Sequence, residues 1–118
     1  MSELSVPGIQ LGVAQAGIKY ANRDDLTIIE IAEGSSTAAV FTQNAFRAAP
    51  VLVAERNNVE ADARYILINS GNANAGTGAP GMAACEQSCE ALASATQMHS
   101  RQVLPFSTGV IGELLPVE

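Results

Sequence analysis

Val103-Leu104-Pro105-Phe106-Ser107-Thr108-Gly109-Val110-Ile111-Gly112 is the stretch around which the chain reads most coherently. An apolar run, expected to be a strand over residues 103–106, breaks into Ser107-Thr108-Gly109 and then resumes, with Gly112 marking a further bend. Glycine has no Cβ, so a reacting group can approach the peptide closely at Gly109, and unusual backbone angles cost little there. Thr108 places a hydroxyl beside that N–H. Two adjacent donors are what an oxyanion site requires, because they face the oxygen that gains charge when an acyl carbonyl is attacked. The plainer reading is a strand ending in a polar turn, since Ser, Thr and Gly are ordinary turn residues. The tripeptide alone is compatible with both.

Immediately upstream, residues 82–99 carry a helical pattern. Met82, Cys85, Cys89, Leu92 and Thr96 line one side, while Glu86, Glu90 and Gln97 face elsewhere. Cys85 and Cys89 are the only cysteines and stand at i, i+4, on one helix face. A metal would call for further ligands, and His99 is the only histidine, so no metal is expected and the pair reads as buried apolar thiols. Before this helix lies Asn69-Ser70-Gly71-Asn72-Ala73-Asn74-Ala75-Gly76-Thr77-Gly78, closed by Pro80-Gly81. Asn and Gly best tolerate positive φ, so a sharply turning loop is expected. Residues 64–68 precede it as a nearly continuous apolar run, as expected of a strand buried on both faces.

The first half of the chain reads as β-rich. A strand is expected over residues 9–16, then a polar turn at Asn22-Arg23-Asp24-Asp25. Residues 26–32 and 37–42, separated by Gly34-Ser35-Ser36, read as a hairpin. Pro50 suits the first turn of a helix in which Val51, Glu55 and Val59 share a face and Asn57-Asn58 form the end. A strand over residues 51–54 competes with that helix.

Composition bounds the possibilities. At 118 residues the chain is one modest domain or a piece of a larger one. An apolar share of 47% argues against disorder. Twenty alanines, no Trp and only five Phe or Tyr give few large core side chains, so the core is expected to be completed against another polypeptide. A net charge of −6 with six scattered basic residues argues against nucleic-acid binding. The N-terminus, Met-Ser-Glu-Leu-Ser-Val-Pro-Gly, lacks the regions of a signal peptide, and no apolar run approaches the roughly 20 residues that span a bilayer. A soluble cytoplasmic protein with no membrane association is the expectation.

Two chemistries compete for these residues. Gly76-Thr77-Gly78-Ala79-Pro80-Gly81 matches G-x-G-x-x-G between a strand and a helix, so a dinucleotide- or phosphate-binding α/β module is one reading. Against it, Pro80 removes an N–H that would hold phosphate, and the next strand ends in Ser107-Thr108-Gly109 with no acidic residue for a ribose. Acyl transfer fits Thr108 and Gly109 but lacks a nucleophile and base within the chain. None of Thr27, Thr37, Thr42, Thr77, Thr96 and Thr108 has an activating group nearby in sequence. An oxyanion pair without a nucleophile is half of a site. A non-catalytic structural half is the third reading.

Ala39-Val40-Phe41-Thr42-Gln43-Asn44, Ala48-Ala49-Pro50-Val51, Ile68 through Gly78, and Ser107-Thr108-Gly109-Val110-Ile111-Gly112 occur in this order in one family. From about Gly8 onward the chain resembles the N-terminal part of the α subunit of the ornithine acetyltransferases of arginine biosynthesis, the bifunctional glutamate N-acetyltransferases. The resemblance implies an α/β fold of layered sheets and helices, of the N-terminal-nucleophile-like kind, completed by further chain or a β subunit. It implies a precursor that cuts itself before a threonine, which becomes the first residue of the β subunit in an α2β2 assembly. That threonine is the nucleophile, and its own α-amine, with an unperturbed pKa of roughly 7.7–8.0, serves as base. Acetyl passes from N-acetylornithine to glutamate, and in bifunctional members acetyl-coenzyme A also donates; no cofactor is implied. The family's oxyanion hole falls on Thr108 and Gly109. Family α subunits continue past Glu118 to an Ala-Thr cleavage point, so residues 1–118 are expected to be a single partial domain, inactive alone.

Overall fold

The computed structural model describes residues 5–117, arranged as a four-stranded sheet with two helices on one face. The strands are β1 (Ile9–Ala14), β2 (Leu26–Ile31), β3 (Tyr65–Asn72) and β4 (Val103–Val110), in the spatial order β1-β2-β3-β4. β1/β2 and β2/β3 are antiparallel, and β3/β4 are parallel. Helix α1 (Ala49–Glu60) precedes β3, and α2 (Gly78–Thr96) makes the crossover that a parallel pair requires. The mixed α/β expectation is met. The reading of the N-terminus and of the chain's last residue falls partly on positions 1–4 and 118, outside the described residues.

The main core lies between the sheet and the helices. Val53 of α1, Cys85, Cys89 and Ala93 of α2, and Tyr65, Leu67 and Val103 of the strands pack together. Of the face expected of α2, Cys85 and Cys89 are buried as free thiols and Met82 and Leu92 partly so, but the helix begins at Gly78 rather than residue 82 and also buries Gly81, Ala84 and Ala93. The opposite sheet face carries a smaller cluster of Ile31, Ala63 and Leu104, with Ile66 against it. On β1, Ile9, Leu11 and Val13 pair in register with Ile31, Ile29 and Thr27 and so share that face, yet Leu11 is 71% exposed.

Several local expectations are corrected. The hairpin pairs β2 with β1, not with residues 37–42, which have no regular structure. Both edges of β2 are taken by β1 and β3, so no edge remains for that segment. Asp25 closes the β1–β2 connection, its carboxylate accepting from the N–H groups of Ala16 (2.6 Å) and Ile18 (2.9 Å). The helix beginning at Pro50 is real, but it buries Ala49, Pro50, Val53, Ala54 and Asn57, while Val59 is 83% exposed. Asn57 does not end it. Its side chain is sealed in the core, where Nδ2 donates to the Val103 carbonyl (2.9 Å) and Oδ1 accepts from the Arg56 guanidinium. A satisfied amide can be buried where an unsatisfied one could not. Finally, β3 does not stop at residue 68 but continues through Asn69-Ser70-Gly71-Asn72.

Candidate functional site

The polar break after Phe106 is no turn. β4 continues through Ser107, Thr108 and Gly109 to Val110, paired in parallel with Asn69, Ser70, Gly71 and Asn72 of β3. The register slips at the end of this ladder, where Asn72 pairs with both Thr108 and Val110 and so straddles Gly109. Such a bulge re-aims the peptide next to it. Gly109 has φ +132°, and a Cβ there would fall 2.4 Å from the Gly71 carbonyl carbon and 2.5 Å from the Asn72 nitrogen. Only glycine lets the two backbones approach so closely. Gly71 is itself at φ +96°, with Lys19 against it.

Thr108 and Gly109 are both exposed at this end of β4. The buried N-terminal end of the same strand holds them in place: Val103 and Leu104 are 0% and 2% exposed. Ser107, on the alternate face from Thr108, donates its hydroxyl to Asn69 Oδ1 and is a structural bracket. On that side lies a mostly apolar cleft of about 300 Å³ lined by Leu26, Leu67, Leu92, Pro105 and Ser107, which neither Thr108 nor Gly109 enters.

The Asn-rich segment, which sequence reasoning treated as a loop, is an internal brace. Asn69 Nδ2 donates to the Asn72 carbonyl (2.8 Å), and Asn72 Oδ1 accepts from the Asn74 N–H (2.7 Å). Asn72 Nδ2 reaches the carbonyls of Glu113 (3.1 Å) and Leu114 (3.2 Å). Asn74, fully buried, donates to the Gly81 carbonyl (2.9 Å) and accepts from the Thr77 hydroxyl (2.7 Å). The strand ends, the start of α2 and the segment after β4 are thereby tied together. Sequence reasoning missed these roles, and the only signal was the density of Asn between two predicted elements. Beside the brace, Lys19 and Glu113 form an exposed ion pair at 3.2 Å.

The Gly76–Gly81 motif is filled from within. Thr77 and Asn74 side chains crowd Gly81, where a Cβ would meet Thr77 Oγ1 at 1.7 Å, and the Phe46 ring lies against Gly76. The other reactive groups lie away from Thr108. Cys85 and Cys89 are 2% and 1% exposed, and the hydrogen bond with Cys89, together with burial, pushes the Cys85 thiol far up. His99 Nδ1 accepts from the Arg101 N–H at the short 3₁₀ turn (Ser100–Gln102) that leads into the opposite end of β4. Among the described residues no group of three or more His, Cys, Asp or Glu could hold a metal, and no helix is long and apolar enough to cross a membrane. In chemical terms the end of β4 offers an accessible hydroxyl and glycine peptide, with Ser70 paired beside Thr108 and Lys19 packed against Gly71.

Comparison with known proteins gives this geometry a context. The chain is 57% identical over 113 residues to the arginine biosynthesis bifunctional protein ArgJ of Pseudomonas syringae, and equally so to that of Methylococcus capsulatus. Each alignment covers 96% of this chain but 28% of the relative, so the chain spans little more than a quarter of their length. The crystal structure of the bifunctional protein ArgJ from Bacillus halodurans superposes with a TM-score of 0.86 at 35% identity, over 94% of this chain and 58% of that one. The ornithine acetyltransferase from Mycobacterium tuberculosis, solved with ornithine, gives 0.87 at 34% identity, over 94% and 61%. The model of the ArgJ family matches residues 10–118, from the second residue of β1 through the brace to the end, and the chain belongs to that family.

Proposed function

We propose that this chain is the N-terminal part of an arginine-biosynthesis acetyltransferase that moves acetyl from N-acetylornithine to glutamate, with Thr108 and Gly109 as its oxyanion hole. The nucleophile is an N-terminal threonine on a separate β subunit, released by self-cleavage of a precursor. The supporting observation is the bulged end of β4, where a threonine hydroxyl and a glycine peptide stand exposed on a strand whose other half is buried. The likeness to a solved ornithine acetyltransferase and to bifunctional arginine-biosynthesis proteins supports the reaction class.

The chemistry follows from the two donors. The threonine hydroxyl attacks the acetyl carbonyl as its α-amine takes the proton, and the carbonyl oxygen becomes an oxyanion facing Thr108 and Gly109. Collapse breaks the C–N bond, the ornithine amine leaves with that proton, and the acetyl ester remains on the threonine. Glutamate's amine then attacks the ester and loses a proton to the α-amine. Collapse of the second oxyanion at the same donors breaks the C–O bond and returns that proton to the threonine oxygen, releasing N-acetylglutamate. A site preorganised on a rigid strand needs no rearrangement as charge develops. This chain supplies the donors but not the attacking group, so alone it is inactive. An α2β2 cytoplasmic assembly completes the reading.

The test is steady-state acetyl transfer by the complete enzyme containing this chain. Thr108→Ala should lower kcat by roughly 10²–10³ without loss of folded protein. An unchanged kcat rejects the oxyanion role. Assay with acetyl-coenzyme A as the sole donor decides whether the second donor is used.

A further inference from the structure

Gly109 and Gly112, at φ +132° and +87°, bracket Val110 and Ile111, and glycine at such angles does not choose one conformation by itself. Contacts from the neighbouring strand fix it, and one residue there reaches both sides of the bend. Asn72 is 3% exposed and makes contacts on both sides of the bend. Its backbone is the sheet partner of Thr108 and of Val110, one residue before and one after Gly109. Its side-chain amide holds the Glu113 and Leu114 carbonyls, beyond Gly112. Its own Oδ1 and carbonyl are fixed by the Asn74 N–H and the Asn69 amide. Two backbone bonds complete the strip, from the Ala73 N–H to the Val110 carbonyl (2.9 Å) and from the Gly112 N–H to the Ala75 carbonyl (2.8 Å).

We propose that Asn72 is the positioning residue of the oxyanion site: it touches no reacting atom but sets the angle at which the Gly109 peptide and Thr108 hydroxyl meet the developing charge. The inference rests on the oxyanion reading given above and adds a residue to it. The side chain must be an amide. It needs two N–H donors for two carbonyls and an acceptor for Asn74, and among side chains of this length only Asn has all three. Asp has the same shape but would turn a carboxylate oxygen toward the Glu113 and Leu114 carbonyls.

The experiment is a double-mutant cycle between Asn72→Asp and Thr108→Ala in the complete enzyme, with N-acetylornithine and glutamate as substrates and rates normalised to folded protein. Asn72→Asp should lower kcat by roughly 10- to 100-fold, as expected of misplaced catalytic groups, with KM for N-acetylornithine little changed. In the Thr108→Ala background the same change should cost several-fold less, because only the Gly109 donor is left to misalign. A general structural defect would be equally costly in both backgrounds, and that result overturns the proposal. So does an unchanged kcat in Asn72→Asp while Thr108→Ala is slow, which leaves the oxyanion reading intact. An unchanged Thr108→Ala overturns both. If Asn72→Asp does not fold, Asn72→Ser, which introduces no charge but cannot reach both carbonyls, is carried through the same cycle with the same criteria.

Discussion

The two halves of β4 are held by opposite means. Val103 is sealed between sheet and helices and Leu104 in the smaller cluster on the opposite face, and apolar packing fixes both. Beyond Phe106, which is 41% exposed, the strand has no such cover, and backbone contact with Gly71 and Asn72 fixes it instead. Packing tolerates compromise, because neighbouring side chains relax into a changed volume. Backbone-to-backbone contact does not, since an added Cβ has nowhere to go. The chain thus keeps its stability in one half of the strand and its proposed chemistry in the other, so substitutions in the two halves should fail differently.

The largest effect is expected at the contact itself. Gly109→Ala places its Cβ against the Gly71 and Asn72 backbone, and steady-state assay of the complete enzyme should show kcat reduced by roughly 10² or more. Its cost in urea unfolding should exceed the about 1–3 kcal/mol of a residue forced into a disfavoured backbone region, because the backbone clash adds to it. In the buried half stability should be lost without loss of turnover. Leu104→Ala should cost about 2–5 kcal/mol in urea unfolding while leaving kcat per folded molecule unchanged. If it lowers kcat as Gly109→Ala does, the two halves are not separable.

Asn57 sharpens the same comparison, because it carries a hydrogen bond into the buried half. Asn57→Ala leaves the Val103 carbonyl without its amide donor and should cost about 1–3 kcal/mol, again with kcat unchanged, by the same two measurements. The smallest effect concerns the β1–β2 connection, where the Asp25 carbonyl accepts from the Ser70 N–H (2.9 Å) at the same end of the sheet as Thr108. The N–H groups of Ala16 and then Ile18 hold the Asp25 carboxylate below its ordinary value of 3.8. A folded pKa below the unfolded one gives stability that is complete above the unfolded value and is lost as pH falls through the folded one. The urea midpoint should therefore drop on the acid side of 3.8, and Asp25→Asn should flatten that limb. An identical acid limb in the variant would remove this role.

Much of the scaffold could be read from residue order. The apolar side of α2 and the apolar run before the Asn-rich segment are local patterns that located a helix and a strand, but β3 buries one face fully and the other only in part, not both as expected. Pro50 marked a helix start correctly, but the buried side of α1 turned on Asn57, whose partners lie on Arg56 and across the core at Val103. Strand pairing was misread for a similar reason. Residues 37–42 have strand-like composition, yet β1 and β3 already occupy both edges of β2. Asn69-Ser70-Gly71-Asn72 have turn composition, yet the parallel partner β4 makes them a strand. Thr108 and Gly109 were visible as candidates because adjacent donors are a local feature. Asn72 was not, because the contacts that bind it to β4 and the segment beyond are with residues more than thirty positions away in sequence.

On the open sheet face Leu11 and Val13 stand 71% and 64% exposed opposite Ile29 and Thr27. That face lies on the same side of the sheet as Thr108, judged by alternation from Leu104.

The central claim is tested most directly by the rate at which acetyl-enzyme forms in a single turnover. Rapid-quench mixing of the complete enzyme with N-acetylornithine, followed by mass measurement of the nucleophile-bearing chain, isolates the first oxyanion from glutamate binding and product release. Thr108→Ala should slow acetylation by roughly 10²–10³. Acetylation of the variant at the wild-type rate would contradict the assignment of Thr108 and Gly109 to the developing charge.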